Sequence, residues 1–423
     1  MFFVLKLSKL CNLRCEYCYE YEELAVKDQM PLAKFDGFIR DLAEFHLGFY
    51  RDREARTPLR FVFHGGEPFL NKPDYLRSIL EILRTHLQPV GVPYVAATQT
   101  NLTRYNREIL DLFVEYRVTL GVSLDAFGGL RTRISGEDSQ DTVLRNLQRL
   151  HDDGYLEPLC VGGITVLTSR NIGRVLDIYE FYARLGMSFR LLPVHNQSAE
   201  RDFRAPGLQV SDASVLAAYQ AVAIAQLQDI MPQSISPIDD YLKAAVIARV
   251  NGIGPRYDPW DEEYVLIVNT NGDIYSDGDA YSPAGFMGNA YERPFSEIYR
   301  SERRKKTCEV RAARAQTCRV CPYDQKCNQM PMAECVPSER RLDGNGRLIC
   351  TIARPMIDFY LELLNASPEA QRIVDRFNRD WNMAPEHRGP LGPARTIPRG
   401  ARRVSRDRPL TGADGSAVEP TEL

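Results

Sequence analysis

A chain of 423 residues with 44% apolar and 26% charged residues is long enough for two domains with packed cores, and a net charge of −3 gives no global attraction to nucleic acid. No apolar run approaches the ~20 residues that span a bilayer, and Met1 leads into a strand-like run rather than a signal peptide. Ten cysteines without a secretion signal argue for metal ligation in a reducing, cytoplasmic compartment rather than for disulfides.

The opening run Phe2-Phe3-Val4-Leu5-Lys6-Leu7 reads as a strand and leads directly into Leu10-Cys11-Asn12-Leu13-Arg14-Cys15-Glu16-Tyr17-Cys18-Tyr19. The spacing is Cys-x3-Cys-x2-Cys, with Tyr17 just before the third cysteine. Cuboidal iron–sulfur clusters are held by thiolates, normally four. A loop that supplies three leaves one iron open to a small molecule. A structural zinc site is the other reading, but such sites close on four ligands, and no further Cys or His follows until His46.

Strand-like and helix-like patterns then alternate. Apolar β-type runs occupy Leu59–His64, Pro93–Thr98, Val118–Leu124, Leu159–Leu167 and Met187–Pro193. Amphipathic patterns of helical period lie between them, at Leu32–Phe49, Tyr75–Leu87, Arg107–Tyr116, Asp141–His151 and Ile172–Leu185. With the opening run this makes six β/α units, so the fold class is α/β, with a parallel sheet and helices outside it. Six units suit a curved, open relative of the eight-fold barrel, a partial (β/α)6 barrel with its site on loops at the strands' C-terminal ends.

Polar residues fall at those ends. His64-Gly65-Gly66-Glu67-Pro68 follows the second strand; paired glycines allow close backbone approach, and a carboxylate beside them accepts hydrogen bonds from an ammonium group. Taken alone, Gly-Gly-Glu-Pro is an ordinary turn, and His64 reads as a packing residue. Gln99-Thr100-Asn101 ends the third strand and Ser123-Leu124-Asp125 the fourth, where short polar side chains either bind a ligand or are generic loop polarity. Arg131 and Arg133 follow, and Leu191-Leu192-Pro193-Val194-His195 closes the sixth strand. Cys160 reads as a small apolar residue within a strand, without a role.

A first domain over residues 1–210 is therefore expected, then a second over 211–365. The second opens with a helical pattern from Ser211 to about Ile230. A hairpin follows, with β-type runs flanking Asn269-Thr270-Asn271-Gly272. Cys308, Cys318, Cys321, Cys327, Cys335 and Cys350 come next, with a core spacing of Cys318-x2-Cys321-x5-Cys327. Cys-x2-Cys alone also suits a zinc ribbon. A helix is expected from Ile352 to about Leu364 and another over Pro368–Trp381. The tail carries Arg388, Arg395, Arg399, Arg402, Arg403, Arg406 and Arg408 among Pro and Gly, which reads as a solvated disordered segment or as a contact for an acidic partner.

The three-cysteine loop resembles that of the radical S-adenosylmethionine (SAM) enzymes. The resemblance implies a 4Fe–4S cluster at Cys11, Cys15 and Cys18 whose open iron is chelated by the amino and carboxylate groups of SAM. It also implies reductive cleavage of SAM to a 5′-deoxyadenosyl radical, and the same partial (β/α)6 barrel. Carried over, Gly65, Gly66, Glu67 and Pro68 look like the motif for the SAM amino group. Tyr17, Gln99, Asn101, Ser123 and Asp125 join the cofactor contacts. Arg133, rather than Arg131, fits the arginine of the SAM carboxylate, and Leu192 lines the adenosine pocket.

The later cysteines resemble the SPASM extension of peptide-modifying members, which implies at least one auxiliary 4Fe–4S cluster held by Cys318, Cys321, Cys327 and Cys350. Departures concern a second auxiliary cluster. No cysteine follows the hairpin, and the gap from Cys327 to Cys335 is seven residues. Cys308 and Cys335, with a non-cysteine ligand such as Asp277, are left as its candidates. Within the superfamily the chain most resembles the FxsB-like maturases of ribosomally made peptides, through the cysteine loop, Gln99-Thr100-Asn101, Gly121-Val122-Ser123-Leu124-Asp125 and Leu191-Leu192-Pro193. That implies a side-chain crosslink of cyclophane type in a precursor peptide. It also implies a reductase, flavodoxin or ferredoxin as electron donor. Because the chain begins at the first barrel strand, no leader-binding domain is expected within it, and a separate leader-binding protein is a possible partner. A thioether-forming maturase, a sulfatase-type formylglycine maturase and an RNA-modifying enzyme are the rivals. Neither membrane nor nucleic acid is expected as a partner, since the folded part lacks aromatic–basic interleaving.

Overall fold

A computed structural model describes residues 1–51, 56–194, 205–229, 233–254, 257–260, 265–276, 283, 285–335 and 339–366. Six strands lie where the apolar runs place them: β1 (Phe2–Ser8), β2 (Leu59–Gly65), β3 (Tyr94–Thr100), β4 (Thr119–Ser123), β5 (Gly162–Leu167) and β6 (Phe189–Pro193). Each pairs in parallel with the next. The connecting helices are α1 (Leu32–Phe49), α2 (Pro73–Leu87), α3 (Arg107–Glu115), α4 (Gln140–Asp152) and α5 (Val175–Leu185). The start expected at Ile172 is a 3-10 turn, Ile172–Arg174, before α5. Asn106 caps α3 by accepting from the Ile109 amide, and Gly186 ends α5 in the left-handed conformation at φ 66°.

Strand side chains alternate between two faces. Phe3, Leu5 and Leu7 of β1 and Leu59, Phe61 and Phe63 of β2 are sealed in the core against the helices. Phe3 meets Phe38 of α1 edge-on and stacks on Phe61. Fully burying a side chain of this kind contributes roughly 1.5–3 kcal/mol, which is why the apolar positions set the register. The opposite face carries Lys6, His64, Gln99, Ser123 and Arg190 and turns inward.

The sheet does not end at the sixth unit. After α6 (Asp212–Gln228), capped by Ser211, a short β7 (Ile235–Ser236) adds in parallel to β6 and leads to α7 (Ile238–Arg249). At the far edge, β8 (Leu266–Val268) pairs in parallel with β1 and forms the expected hairpin with β9 (Asp273–Ser276), with Gly272 of the turn at φ 89°. β10 (Phe286–Asn289) completes a ten-stranded sheet of order β10-β9-β8-β1-β2-β3-β4-β5-β6-β7. Strands from either side of residue 210 thus share one sheet.

Short α8 (Phe295–Tyr299) fastens this edge: Asp41 of α1 accepts from the Phe295 amide at 2.5 Å. Then follow α9 (Glu302–Ala315), α10 (Met330–Ala333), a two-stranded ladder of β11 (Arg341–Leu342) with β12 (Leu348–Ile349), and α11 (Ala353–Ala366), which packs on α7. The expected helix at Pro368–Trp381 and the arginine-rich tail lie outside the described residues. Among the described residues no helix is long and apolar enough to cross a membrane.

Candidate functional site

The cysteine loop leaves β1 and is held by its own and neighbouring backbone. Arg14 Nη1 donates to the carbonyls of Cys11 (2.9 Å) and Leu13 (2.8 Å), the Arg14 amide donates to Thr132 O (2.7 Å), and Leu13 bridges Arg133. The end of β2 passes directly beneath: Gly66 N donates to Ser8 O (2.8 Å) and Glu67 N to Leu10 O (2.9 Å). A Cβ at Gly65, where φ is 114°, would lie 2.1 Å from Ser8 O, and one at Gly66 would lie 2.0 Å from Leu10 O. The close approach that these glycines permit is therefore to the cysteine loop itself.

Cys11, Cys15 and Cys18 pack together with Leu13, Leu24 and Tyr17, and all ten cysteines are free thiols. Burial pushes Cys11 and Cys18 up to about 12, and the neighbouring Cys15 adds to the rise at both. Thiols so raised stay protonated until a metal replaces the proton. The Leu13 amide (3.4 Å) and Asn101 Nδ2 (3.8 Å) point at Cys11 Sγ, which suits a thiolate ligand. Among the described residues no three His, Cys, Asp or Glu side chains close on a single point as one metal ion needs. A cuboidal cluster instead takes its thiolates on separate irons. The three thiols fit a cluster.

Glu67 is 2% exposed and already committed. Its Oε1 accepts from Phe69 N (2.9 Å) and Thr100 Oγ1 (2.7 Å), and its Oε2 accepts from Asn101 N (2.7 Å). The carboxylate thus ties the end of β2 to the end of β3, and its spare acceptor capacity is what an ammonium group could use. Pro68, buried, opens the 3-10 turn that Glu67 caps. Asn101 Nδ2 also donates to Asn12 Oδ1 (3.1 Å), while Thr103 donates to Asn101 Oδ1. Gln99 Nε2 donates to Ser123 Oγ (2.7 Å) across the inner face, with Gly121 leaving room for its side chain.

Asp125, buried at the end of β4, accepts from Tyr17 OH (2.5 Å) and Arg131 Nε (3.0 Å) at Oδ2 and from Val166 N (3.2 Å) at Oδ1. The Arg131 guanidinium lies 5.5 Å from the Tyr17 ring centre, and its charge lowers the pKa of Cys15 against the larger effect of burial. Arg133, expected to meet the SAM carboxylate, stands apart from Asp125 and Tyr17. The chain turns at 133–136, so its Nη2 donates to Thr142 Oγ1 (2.9 Å), and Arg133 lines an outer cavity of about 700 Å³ with Arg14, Glu16 and Tyr21. Leu192, opposite Val166 in the β5–β6 register, is partly exposed on the inner face.

Lys6 was not singled out above. It is fully buried, donates to the Glu20 carboxylate and lies 5.2 Å from the Tyr19 ring centre, and burial lowers its pKa against the pull of Glu20. A lone lysine inside an apolar strand was its only signal. His64, beside Lys6 in register, has a buried Nδ1 without a hydrogen-bond partner, and burial lowers its pKa to about 4, so the ring is neutral at pH 7.

A second group of thiols forms near α7. Burial, and after it the neighbouring Cys327, Cys350 and Cys321, push Cys318 up to about 12; burial, with Cys350 and Cys321, pushes Cys327 up to about 11. Cys318, Cys321, Cys327 and Cys350 thus lie within electrostatic reach of one another, and the Arg354 amide in the first turn of α11 points at Cys350 Sγ (3.3 Å). Burial raises the pKa of Tyr241 of α7, and Tyr219, Cys350 and Cys327 add to the rise. The other two cysteines bond elsewhere: Cys308 donates to Pro259 O (3.0 Å) and Cys335 to Met332 O (3.2 Å). Asp277 and His195 lie outside the described residues. Cys160 is not within a strand; it sits at φ 45° in the turn before β5, where its amide donates to Glu157 O.

Residues 5–182 match the model of the Radical SAM superfamily. A serine-type anaerobic sulfatase-maturating enzyme of Bacteroides thetaiotaomicron is 21% identical over 339 residues, covering 76% of this chain and 80% of its own length. An uncharacterized protein of Methanothermobacter thermautotrophicus is 25% identical over 242 residues, 57% of this chain and 85% of its own. Among solved structures, anSMEcpe with bound AdoMet and Cp18Cys peptide aligns with a TM-score of 0.64 at 15% identity, covering 89% of this chain and 99% of that one. Streptococcus suis SuiB bound to precursor peptide SuiA aligns at 0.50 and 14% identity, covering 77% and 70%. At these identities the structural likeness is one of fold.

Proposed function

The chain carries a radical SAM domain over residues 5–182, and on that premise we propose that it is a SPASM-type maturase that modifies a peptide. The observation that carries this reading is the pair of thiol groups, three on the loop after β1 and four beside α7, on one continuous sheet. Sulfatase-maturating enzymes and SuiB, solved with a precursor peptide, support a peptide as the substrate. When bound, the cofactors supply a 5′-deoxyadenosyl radical at the first group and an electron acceptor at the second.

The chain's own residues hold and orient. Cys11, Cys15 and Cys18 take the first cluster on a loop clamped by Arg14, Gly65 and Gly66. Glu67 offers its remaining lone pair to the SAM ammonium. Arg131, set by Asp125 and Tyr17, would meet the SAM carboxylate, Gln99, Asn101 and Ser123 would bond the ribose, and Leu192 would line the adenosine site. Cys318, Cys321, Cys327 and Cys350 take the auxiliary cluster. An electron donor and, where the peptide has a leader, a leader-binding protein complete the system.

The reaction is a crosslink of cyclophane type, as the likeness to FxsB-like maturases suggests. Joining two C–H positions removes one hydrogen atom to the adenosyl radical, and one proton and one electron afterwards. Co-expression with a candidate precursor peptide tests this: the peptide should lose the mass of two hydrogens per crosslink, and fragmentation should fail between the joined residues. The sulfatase-maturating relatives favour a second reading, formylglycine formation. Serine oxidation loses the same mass, so labelling by a hydrazide probe decides between the two: an aldehyde reacts and a crosslink does not.

A further inference from the structure

Cations of the inner barrel wall have carboxylate partners at two places, Lys6 with Glu20 and Arg131 with Asp125. Arg190 in β6 differs. Its Nε is sealed from solvent and has no hydrogen-bond partner, and among the described residues no carboxylate pairs with it. Its neighbours along the strand fix its direction. Phe189 stacks on Tyr182 of α5, and Leu191 is fully buried, with its carbonyl bonded by Tyr219 of α6. Arg190, between them, turns to the opposite, inner face.

Register gives its surroundings. Arg190 stands opposite Ile164 in β5 and Ser236 in β7, and Ile164 stands opposite Ser123, which holds Gln99. Leu192 is the next residue of β6 on the same face. A guanidinium in a wall that is apolar on the Ile164 and Leu192 sides is poorly hydrated, and its planar fork matches a carboxylate through two parallel hydrogen bonds. Ser236 leads through Pro237 into α7, which packs on α11, and the first turn of α11 points the Arg354 amide at Cys350 Sγ. Arg190 therefore occupies the part of the wall that leads to the four-cysteine group, away from the three-cysteine loop on β1.

We propose that Arg190 is the substrate anchor: it takes a carboxylate of the peptide and holds the reacting segment in the barrel between the two thiol groups. The inference rests on the peptide-maturase reading. Two sources supply the same chemistry, an Asp or Glu side chain or the peptide's C-terminus.

The test uses the full-length, iron-reconstituted protein with SAM, a reductant and a random peptide library, prepared once with free C-termini and once with C-terminal amides. Products are sequenced from the SAM-dependent fraction that has lost mass. The wild-type protein should select Asp or Glu at one fixed distance from the modified residue, or else should act on free C-termini and fail on amides. Arg190→Gln should lose that selection and raise KM by about ten- to a hundredfold for a selected peptide, as loss of a charge-assisted contact does. Arg190→Lys should restore part of it, and Arg190→Glu should shift selection toward Lys or Arg. Iron content and thermal melting of each variant report the fold. Unchanged selection in Arg190→Gln overturns the anchor, as does a loss of SAM affinity, which would assign the guanidinium to the cofactor. If the wild-type protein modifies no library member, the peptide reading falls and the anchor with it.

Discussion

The two thiol groups are built in opposite ways. Cys11, Cys15 and Cys18 come from one loop, and the groups that shape it sit on adjoining strand ends: Gly66 and Glu67 after β2, Asn101 after β3. The four later thiols come from separate places, two in and beside the turn Gln316–Val320, one in the loop before α10 and one just before α11. Cys350 is held in place by the docking of α11 on α7, where Tyr360 is fully buried, and by the neighbouring Thr351, which donates to Asp212 of α6 (2.7 Å). A loop framed by neighbouring strands is formed once the sheet is formed. A group closed by a distant helix depends on that helix staying in place.

That difference predicts independent loss. Replacing Cys11, Cys15 and Cys18 together by Ala should abolish 5′-deoxyadenosine formation and lower iron from about eight to about four per chain, the content of one cuboidal cluster. Cys350→Ala should remove the other four and stop peptide product, whereas Cys308→Ala and Cys335→Ala should keep all of the iron. Iron analysis with electron paramagnetic resonance reads each case. If either set of changes removes all the iron, the two groups form as one unit and the contrast fails.

The next effect is steric. Gly66→Ala places a Cβ against Leu10 O and should cost about 3 kcal/mol, the upper end for atoms forced into a packed site. Gly37→Ala, inside α1 with nothing within 4 Å, should instead stabilise by about 0.8 kcal/mol. Urea unfolding of both variants separates a glycine that the cysteine loop requires from one that it does not. Equal effects would mean that the first loop is less tightly framed than its hydrogen bonds suggest.

Glu67→Gln comes third. Its amide would turn a donor toward Phe69 N and Thr100 or toward Asn101 N, leaving a buried donor unpaired, for a loss of about 2 kcal/mol in stability. SAM affinity, read by equilibrium dialysis, should also fall. A stability loss with unchanged affinity would make the carboxylate a brace alone.

Much of the first half was legible beforehand, because parallel strands buried under helices leave long apolar runs and clear helical periods; α1 runs from Leu32 to Phe49, the range that its period marks. What escaped depends on distant pairing. β7 is two residues long, and the joining of β8 to β1 has no local signature. Glu67 looked like a free ligand group because Thr100 and Asn101, its donors, lie one strand away. The inward cations Lys6 and Arg190 are single polar residues in apolar strands, and nothing local says whether such a residue has a partner.

The smallest expected effect concerns two arginines two residues apart. The family resemblance favours Arg133 for the SAM carboxylate; the structure sets Arg131 beside Tyr17 and Asp125, while the turn at 133–136 carries Arg133 toward α4. Arg131→Gln should weaken SAM binding by about tenfold, the loss of one charge-assisted contact after Asp125 reorganises. Arg133→Gln removes only a bond to Thr142 at the outer cavity and should change affinity by no more than about twofold, corresponding to under ~0.5 kcal/mol. Equilibrium dialysis against labelled SAM resolves both. The reverse order would mean that the cysteine loop, with its bridge from Leu13 to Arg133, shifts when the cofactor binds, and that the first thiol group is less rigid than the second.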